Sequence, residues 1–314
     1  MRTSTSSGDV ILSSLSCHIG EPTVDTAMRL ESGEAVSIPG FSNLPLPPFD
    51  LLDRVETWRL GGWGLKNPTW NPVSNHLHPS WTEKYPDAAR FKDFLKEFQK
   101  AAERTIISFV PQWQGKLIPD RVCWRPWEMA TRRIRWTARD DLFHVDHFSK
   151  RPSNGRRLIR FFMNLGRTDP IVWAETDPLA RLIEQGRKYG LPEVFRNSEK
   201  LRKNSLGKNT WWIDRQTTSV HDMVLNSIHH GLKHDEAFQE SARRRLTNYA
   251  PGSAWIAMTD ACCHSILRGK WLVDVTWFLP LEACLSPDLA PSNLLGTIAP
   301  AMDNSATEQL GQAA

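Results

Sequence analysis

The chain has no run of about 18 apolar residues, the least a membrane-spanning helix requires. Its five cysteines, Cys17, Cys123, Cys262, Cys263 and Cys284, contain no Cys-x-x-Cys pair and make no even framework. That usage excludes a disulfide scaffold and fits a reducing compartment. The opening MRTSTSSGDVILSSLSC has neither the long apolar core nor the small-residue cleavage site of a secretory signal. The expected location is therefore cytoplasmic. Concentrated basic tracts are also missing: a net charge of +4 and a pI near 8.8 favour anionic partners mildly, without the footprint of a nucleic-acid binder. No internal repeat is visible. Tyrosine is scarce, three residues against fourteen tryptophans. Indoles pack in cores, stack on sugars and sit at membrane interfaces, and packing is the ordinary role for most of them.

With 40% hydrophobic and 24% charged residues, the 314-residue chain reads as globular and long enough for a substantial core. Residues 1–30 are polar and rich in Ser and Thr, and are expected to be disordered, as is the Ala/Ser/Pro/Asn-rich tail 286–314. Residues 31–285 are expected to form one domain. Within it, Phe91, Phe94, Leu95, Phe98, Ala101 and Ala102 recur at three-and-four spacing and predict an amphipathic helix over about 85–110. From about 120 to 175 the texture turns to short β-rich pieces: RVCWRPWEM, RRIRWTA, LFHVDHF, RRLIRFFMNL and IVWAE, with PSNG as a turn. Helical texture fills about 177–247, and strands return over about 250–282 in SAWIAMTD and WLVDVTWFLPL. Strands, a helical insertion and returning strands predict a mainly β fold with helical decoration, a double-stranded β-helix (jelly roll) whose two sheets enclose a cavity.

The chemistry concentrates in FHVDHFSKRP and TDACCHSILRG. His144 and Asp146 are two apart, so on a strand both point to one side. With a distant His264 they compose the two-His, one-carboxylate triad that holds non-heme Fe(II) and leaves positions open for O2 and a bidentate co-substrate. The bland alternative for His-x-Asp is the polar face of an exposed strand. Arg160, Phe162 and Asn164 share parity on the strand that follows. A guanidinium facing the cavity needs an anion, and a dicarboxylate co-substrate would supply one. The opposite parity would bring Arg157 inward instead. Rival metal sets are weaker. His76 and His78 read as a surface loop. His230 and His234 lack the glutamate of a metalloprotease helix and read as a polar helix face. Cys262 and Cys263 read as small packing residues.

Three blocks then carry a resemblance: RWTARDDLFHVDHFSKRPSNGRRLIRFFMNL, VHDMVLNSIHHGLKHDEAFQ and YAPGSAWIAMTDACCHSILRGKWLVDVTWFLP. In this order they resemble the 3-deoxy-D-manno-octulosonic acid (Kdo) hydroxylases, Fe(II)/2-oxoglutarate-dependent oxygenases of Gram-negative bacteria that act on the lipopolysaccharide inner core. The resemblance covers most of residues 30–295. It implies that His144, Asp146 and His264 hold iron, and that Arg160 and Asn164 lie on the strand that serves 2-oxoglutarate. It implies hydroxylation at C3 of a Kdo sugar on lipid A, with succinate and CO2 as co-products, by an enzyme peripheral on the inner membrane. Such a substrate is anionic, and Arg133, Arg135, Arg151, Arg156, Arg157, Trp124 and Trp127 are candidates to meet it. The chain departs from the family pattern at His147 and Ser149, at Ala138–Asp141, and at Asp274–Trp277. A 2-oxoglutarate oxygenase for another polar lipid or small molecule, or a non-catalytic jelly-roll sugar-binding module, remains the alternative on these residues.

Overall fold

In a computed structural model, residues 10–11, 24–38, 49–58, 67–132, 134–148, 151–185 and 219–294 are described. Among them the strands form two sheets. The larger has the order β2 (Val36–Ile38), β9 (Ala254–Met258), β6 (Arg157–Asn164), β11 (Leu272–Leu279), β5 (Ile118–Arg125), β3 (Thr69–Asn71) and β4 (His76–His78), antiparallel throughout. The smaller runs β1 (Val10–Ile11), β8 (Arg245–Tyr249), β7 (Ile171–Glu175) and β10 (His264–Arg268). His144 adds a single antiparallel bridge to His264 at the free edge of β10.

The large sheet is buried on both faces, for different reasons. Its outer face presents Ile159, Phe161, Met163, Val273, Val275, Trp277, Val122 and Trp124 to the helix α3 (Ala88–Phe109). Phe91, Phe94, Leu95 and Phe98 answer from that helix, with Phe98 edge-on to Phe161 at 6.1 Å. Pro111 follows at once and, lacking an N–H, stops the helix. The predicted amphipathic helix is thus present and serves as the outer cover. The inner face meets the small sheet through Phe162, Trp173, Trp255, Tyr249 and Ile266, with Phe162 stacked on Trp255 at 5.1 Å.

The predicted helical insertion supplies α4 (Leu179–Glu184), α5 (Val220–His234) and α6 (Glu236–Ser241); residues 186–218 lie outside the described residues. Val224, Leu225, Ile228 and Leu232 of α5 pack with Phe143 and Val145, so this helix is a buttress behind the His-x-Asp segment. Its N-terminus is capped by Ser219, whose hydroxyl accepts the Asp222 N–H, and Asp222 itself is fully buried. The Asp222 carboxylate accepts hydrogen bonds from the Ser153 and Asn154 amides at 2.6 and 2.9 Å. That tie fixes the predicted PSNG turn, in which Asn154 (φ 52°) and Gly155 (φ 83°) take the left-handed conformations a tight turn demands.

Several expectations change. Residues 24–30, expected to be disordered, begin the helix α1 (Val24–Glu31), because Ala27 and Leu30 have an apolar core to enter. The Glu31 carboxylate then accepts the backbone amides of Leu285 and Ser286, and Ala290 is buried, so the chain is packed past 286 as well. RRIRWTA is not a strand: Trp136–Ala138 is one 3-10 turn, and Arg133 lies outside the described residues. LFHVDHF is extended but irregular, held by the lone bridge. The NHLHP segment, expected to be a loop, contributes β4, with His76 and His78 exposed.

Candidate metal centre

His144, Asp146 and His264 come from segments remote in sequence, and the backbone brings them together directly. The His144 and His264 amides and carbonyls exchange hydrogen bonds at 3.0 and 2.9 Å, and the Asp146 N–H donates to the Thr259 carbonyl at 2.6 Å. One donor atom from each of the three residues lies within 4.8 Å of the other two, and all three side chains are buried. His144 Nε2 stands 3.4 Å from Asp146 Oδ1.

Each imidazole is oriented by its own main chain. His144 Nδ1 donates to the Leu142 carbonyl at 2.7 Å and His264 Nδ1 donates to the Cys262 carbonyl at 2.8 Å. A carbonyl can only accept, so the proton sits on Nδ1 and the Nε2 lone pair is left free, the arrangement a metal-binding imidazole needs. Trp173 lies flat on His264, 4.5 Å away at 9°. Burial, with the neighbouring His144, pushes the His264 pKa down to about 3, so the ring is neutral and able to ligate. Burial opposes ionisation of Asp146, yet the Arg160 guanidinium holds its carboxyl well below the usual range. Two imidazoles and one carboxylate, converging in a buried site, fit a divalent metal of the iron type.

Arg160 does face inward. Its Nη1 donates to Asp146 at 2.6 Å and its Nη2 donates to Asp274. Arg125, which sequence reasoning did not single out, donates through Nε to the other oxygen of Asp274 at 2.6 Å and through Nη1 to Asp140. The two arginines and three aspartates form a continuous charged network in the cavity. Even spacing along β5 was the signal that would have found Arg125.

Asn164 is placed differently from its expected role. Its Nδ2 donates to the Tyr249 and Asp169 carbonyls and its Oδ1 accepts the Gly166 N–H, so the amide is spent on backbone at the far end of β6. Arg157 belongs to the opposite parity, fully buried against Asp260 at 2.8 Å, and Trp124 is fully buried in the outer core; neither is available to a ligand. His229 was missed: its Nδ1 donates to the Val145 carbonyl at 2.7 Å and its edge meets the His144 ring at 5.2 Å. His230 and His234, the pair expected on a polar helix face, pack against Trp136 at 5.7 and 3.6 Å.

Residues 19–302 match the family model of 3-deoxy-D-manno-oct-2-ulosonic acid (Kdo) hydroxylase. The chain belongs to that family. Solved structures of the Kdo hydroxylase KdoO, described as a non-heme Fe(II) alphaketoglutarate dependent dioxygenase, share its fold. The cobalt(II) complex matches with a TM-score of 0.74 at 24% identity, over 92% of this chain and 95% of that one. The complex with alphaketoglutarate and Fe(III) matches with a TM-score of 0.73 at 23% identity, over the same shares. No curated protein matches the chain in sequence. The expected jelly-roll core with helical decoration is the fold of this Kdo hydroxylase family member.

Proposed function

We propose that the chain is an Fe(II)/2-oxoglutarate-dependent dioxygenase that hydroxylates C3 of a Kdo sugar in the lipopolysaccharide inner core, on Kdo-lipid A. The observation that carries this reading is the convergence of His144, Asp146 and His264 with both Nε2 lone pairs free, in a chain of the Kdo hydroxylase family. Ferrous iron with 2-oxoglutarate and O2 supplies the oxidising chemistry, in which the keto acid is converted to succinate and CO2 and one oxygen atom enters a C–H bond.

The protein's part is to hold, orient and dry the site. His144, Asp146 and His264 would hold the metal, and Arg160 would meet the far carboxylate of 2-oxoglutarate. The buried network shared with Asp274 keeps Arg160 ionised and in place before any co-substrate arrives. Both terminal nitrogens of Arg160 are already engaged, whereas Arg125 is engaged through Nε and Nη1, so a second reading gives that carboxylate to Arg125; the KM for 2-oxoglutarate of Arg160→Met against Arg125→Met separates the two. The Phe162–Trp173–Trp255 layer closes the cavity to water from one side. Among the described residues no helix is long and apolar enough to cross a membrane. A peripheral approach to the inner-membrane surface, with Arg135, Arg151, Arg156 and Trp127 meeting lipid A phosphates, completes the proposal.

Anaerobic titration with Fe(II) and 2-oxoglutarate should develop the weak visible charge-transfer band of a chelated keto acid, and purified enzyme should add one oxygen atom to Kdo-lipid A. A protein that binds the sugar but never forms the band would be a sugar-binding module. One that forms the band and leaves the Kdo mass unchanged would be an oxygenase for another substrate.

A further inference from the structure

The inner face of the large sheet carries a second basic group that the co-substrate does not account for. Thr276 on β11 stands opposite Arg121 on one side and opposite Arg160 on the other. Directly opposed residues share a face, so Arg121, Thr276 and Arg160 form one row across three strands. Strand spacing separates the first and last Cα atoms of that row by about 10 Å. The next row repeats the pattern with Cys123, Asp274 and Phe162, which fixes this as the cavity side.

Four arginines around the site each have a carboxylate nearby. Arg160 has Asp146 and Asp274, Arg125 has Asp274 and Asp140, Arg151 has Asp120, and Arg132 lies 4.0 Å from Asp140. Arg121 differs from these four. Among the described residues no carboxylate lies within ion-pair distance of it, and its Nε is buried with no hydrogen-bond partner. Burial depresses its pKa, as expected of a half-buried cation without a counter-ion. Such a group is costly to keep unless an anion arrives to meet it. Among the described residues the nearby carboxylates are already committed, which leaves Arg121 open to an anionic ligand.

We propose that Arg121 binds the carboxylate of the sugar-acid substrate and is thereby a specificity-determining residue; this rests on the reading of the chain as a Kdo hydroxylase. Arg160 stands against Asp146, whereas Arg121 is two strands further along the same wall. In a 3-deoxy-2-ulosonic acid the carboxylate is two bonds from C3. A guanidinium that grips it with a planar fork therefore also fixes the carbon to be hydroxylated.

The test compares kcat/KM for a Kdo methyl glycoside with that for its C1 methyl ester, in the iron-loaded full chain and in Arg121→Gln and Arg121→Lys. The unaltered chain should prefer the free acid on the order of 10- to 100-fold, the range of a charge-assisted hydrogen bond. Arg121→Gln should lose that preference and Arg121→Lys should keep part of it. A misfolded variant would lose both substrates alike, and the lysine variant keeps the question open to measurement if the glutamine one does not fold. An acid preference that survives in Arg121→Gln, or an unaltered chain indifferent to esterification, overturns the role given to Arg121 alone. An unaltered chain that oxidises neither glycoside nor Kdo-lipid A while consuming 2-oxoglutarate overturns the Kdo reading, and this proposal with it.

Discussion

The two faces of β6 are equally buried and chemically opposite. All eight residues from Arg157 to Asn164 are sequestered from solvent. Ile159, Phe161 and Met163 point outward into the α3 core, where they need only fill space. Arg160 points the other way and is tolerated because Asp146 and Asp274 meet it. Burial alone therefore does not mark a functional residue. A buried charge whose partners belong to a ligand set does.

Substitutions on the two faces should fail in different ways. The largest effect is expected from Asp146→Ala, which should abolish iron-dependent succinate formation; turnover above the metal-free background would reject the triad. On the outer face, Phe161→Ala should cost about 3–5 kcal/mol in urea unfolding through a cavity beside Phe98. The surviving folded protein should keep its metal affinity, and a loss of affinity would show that the two faces are coupled. Arg160→Met leaves two buried carboxylates short of a partner, and a destabilisation of about 3 kcal/mol is expected, together with a raised KM for 2-oxoglutarate. If Arg125→Met raises that KM more, Arg125 is the clamp. The smallest effect is linkage: a divalent metal at about 100 times its Kd should stabilise the folded chain by about 2.7 kcal/mol. Asp146→Ala should erase this shift, whereas Phe161→Ala should leave it intact.

Much of this division was legible in the sequence. Alternation along RRLIRFFMN put Arg160 and Phe162 on one face and Arg157 on the other without saying which met the cavity, and three-and-four spacing located the helix that covers the other side. PSNG announced its turn through Asn154 and Gly155. The triad was legible from residue type, although the pleat argument behind it was only partly apt. His144 and Asp146 sit on an extended segment with a single bridge, and the hydrogen bonds to His264 and Thr259 align them rather than a regular strand. Illegible features depended on partners remote in the chain. Asn164 shares the parity of Arg160, but nothing local reveals that Asp169 and Tyr249 carbonyls will claim its amide. Arg121 and Arg125 share a strand and a face, and only the carboxylates of Asp140 and Asp274, remote from β5 in the chain, distinguish Arg125 as the paired one among the described residues. Residues 24–30 are polar enough to read as disordered, yet Ala27 and Leu30 suffice once a core is there to receive them.

The two Nδ1 hydrogen bonds have a consequence for mutational robustness. Each imidazole is latched by a peptide carbonyl two positions earlier in its own segment, at Leu142 and at Cys262. Main-chain carbonyls survive every side-chain replacement, so no exchange of a neighbouring residue's side chain can delete the latch. Drift in the surrounding pocket can then retune what the enzyme accepts while the two rings that converge on Asp146 keep their aim.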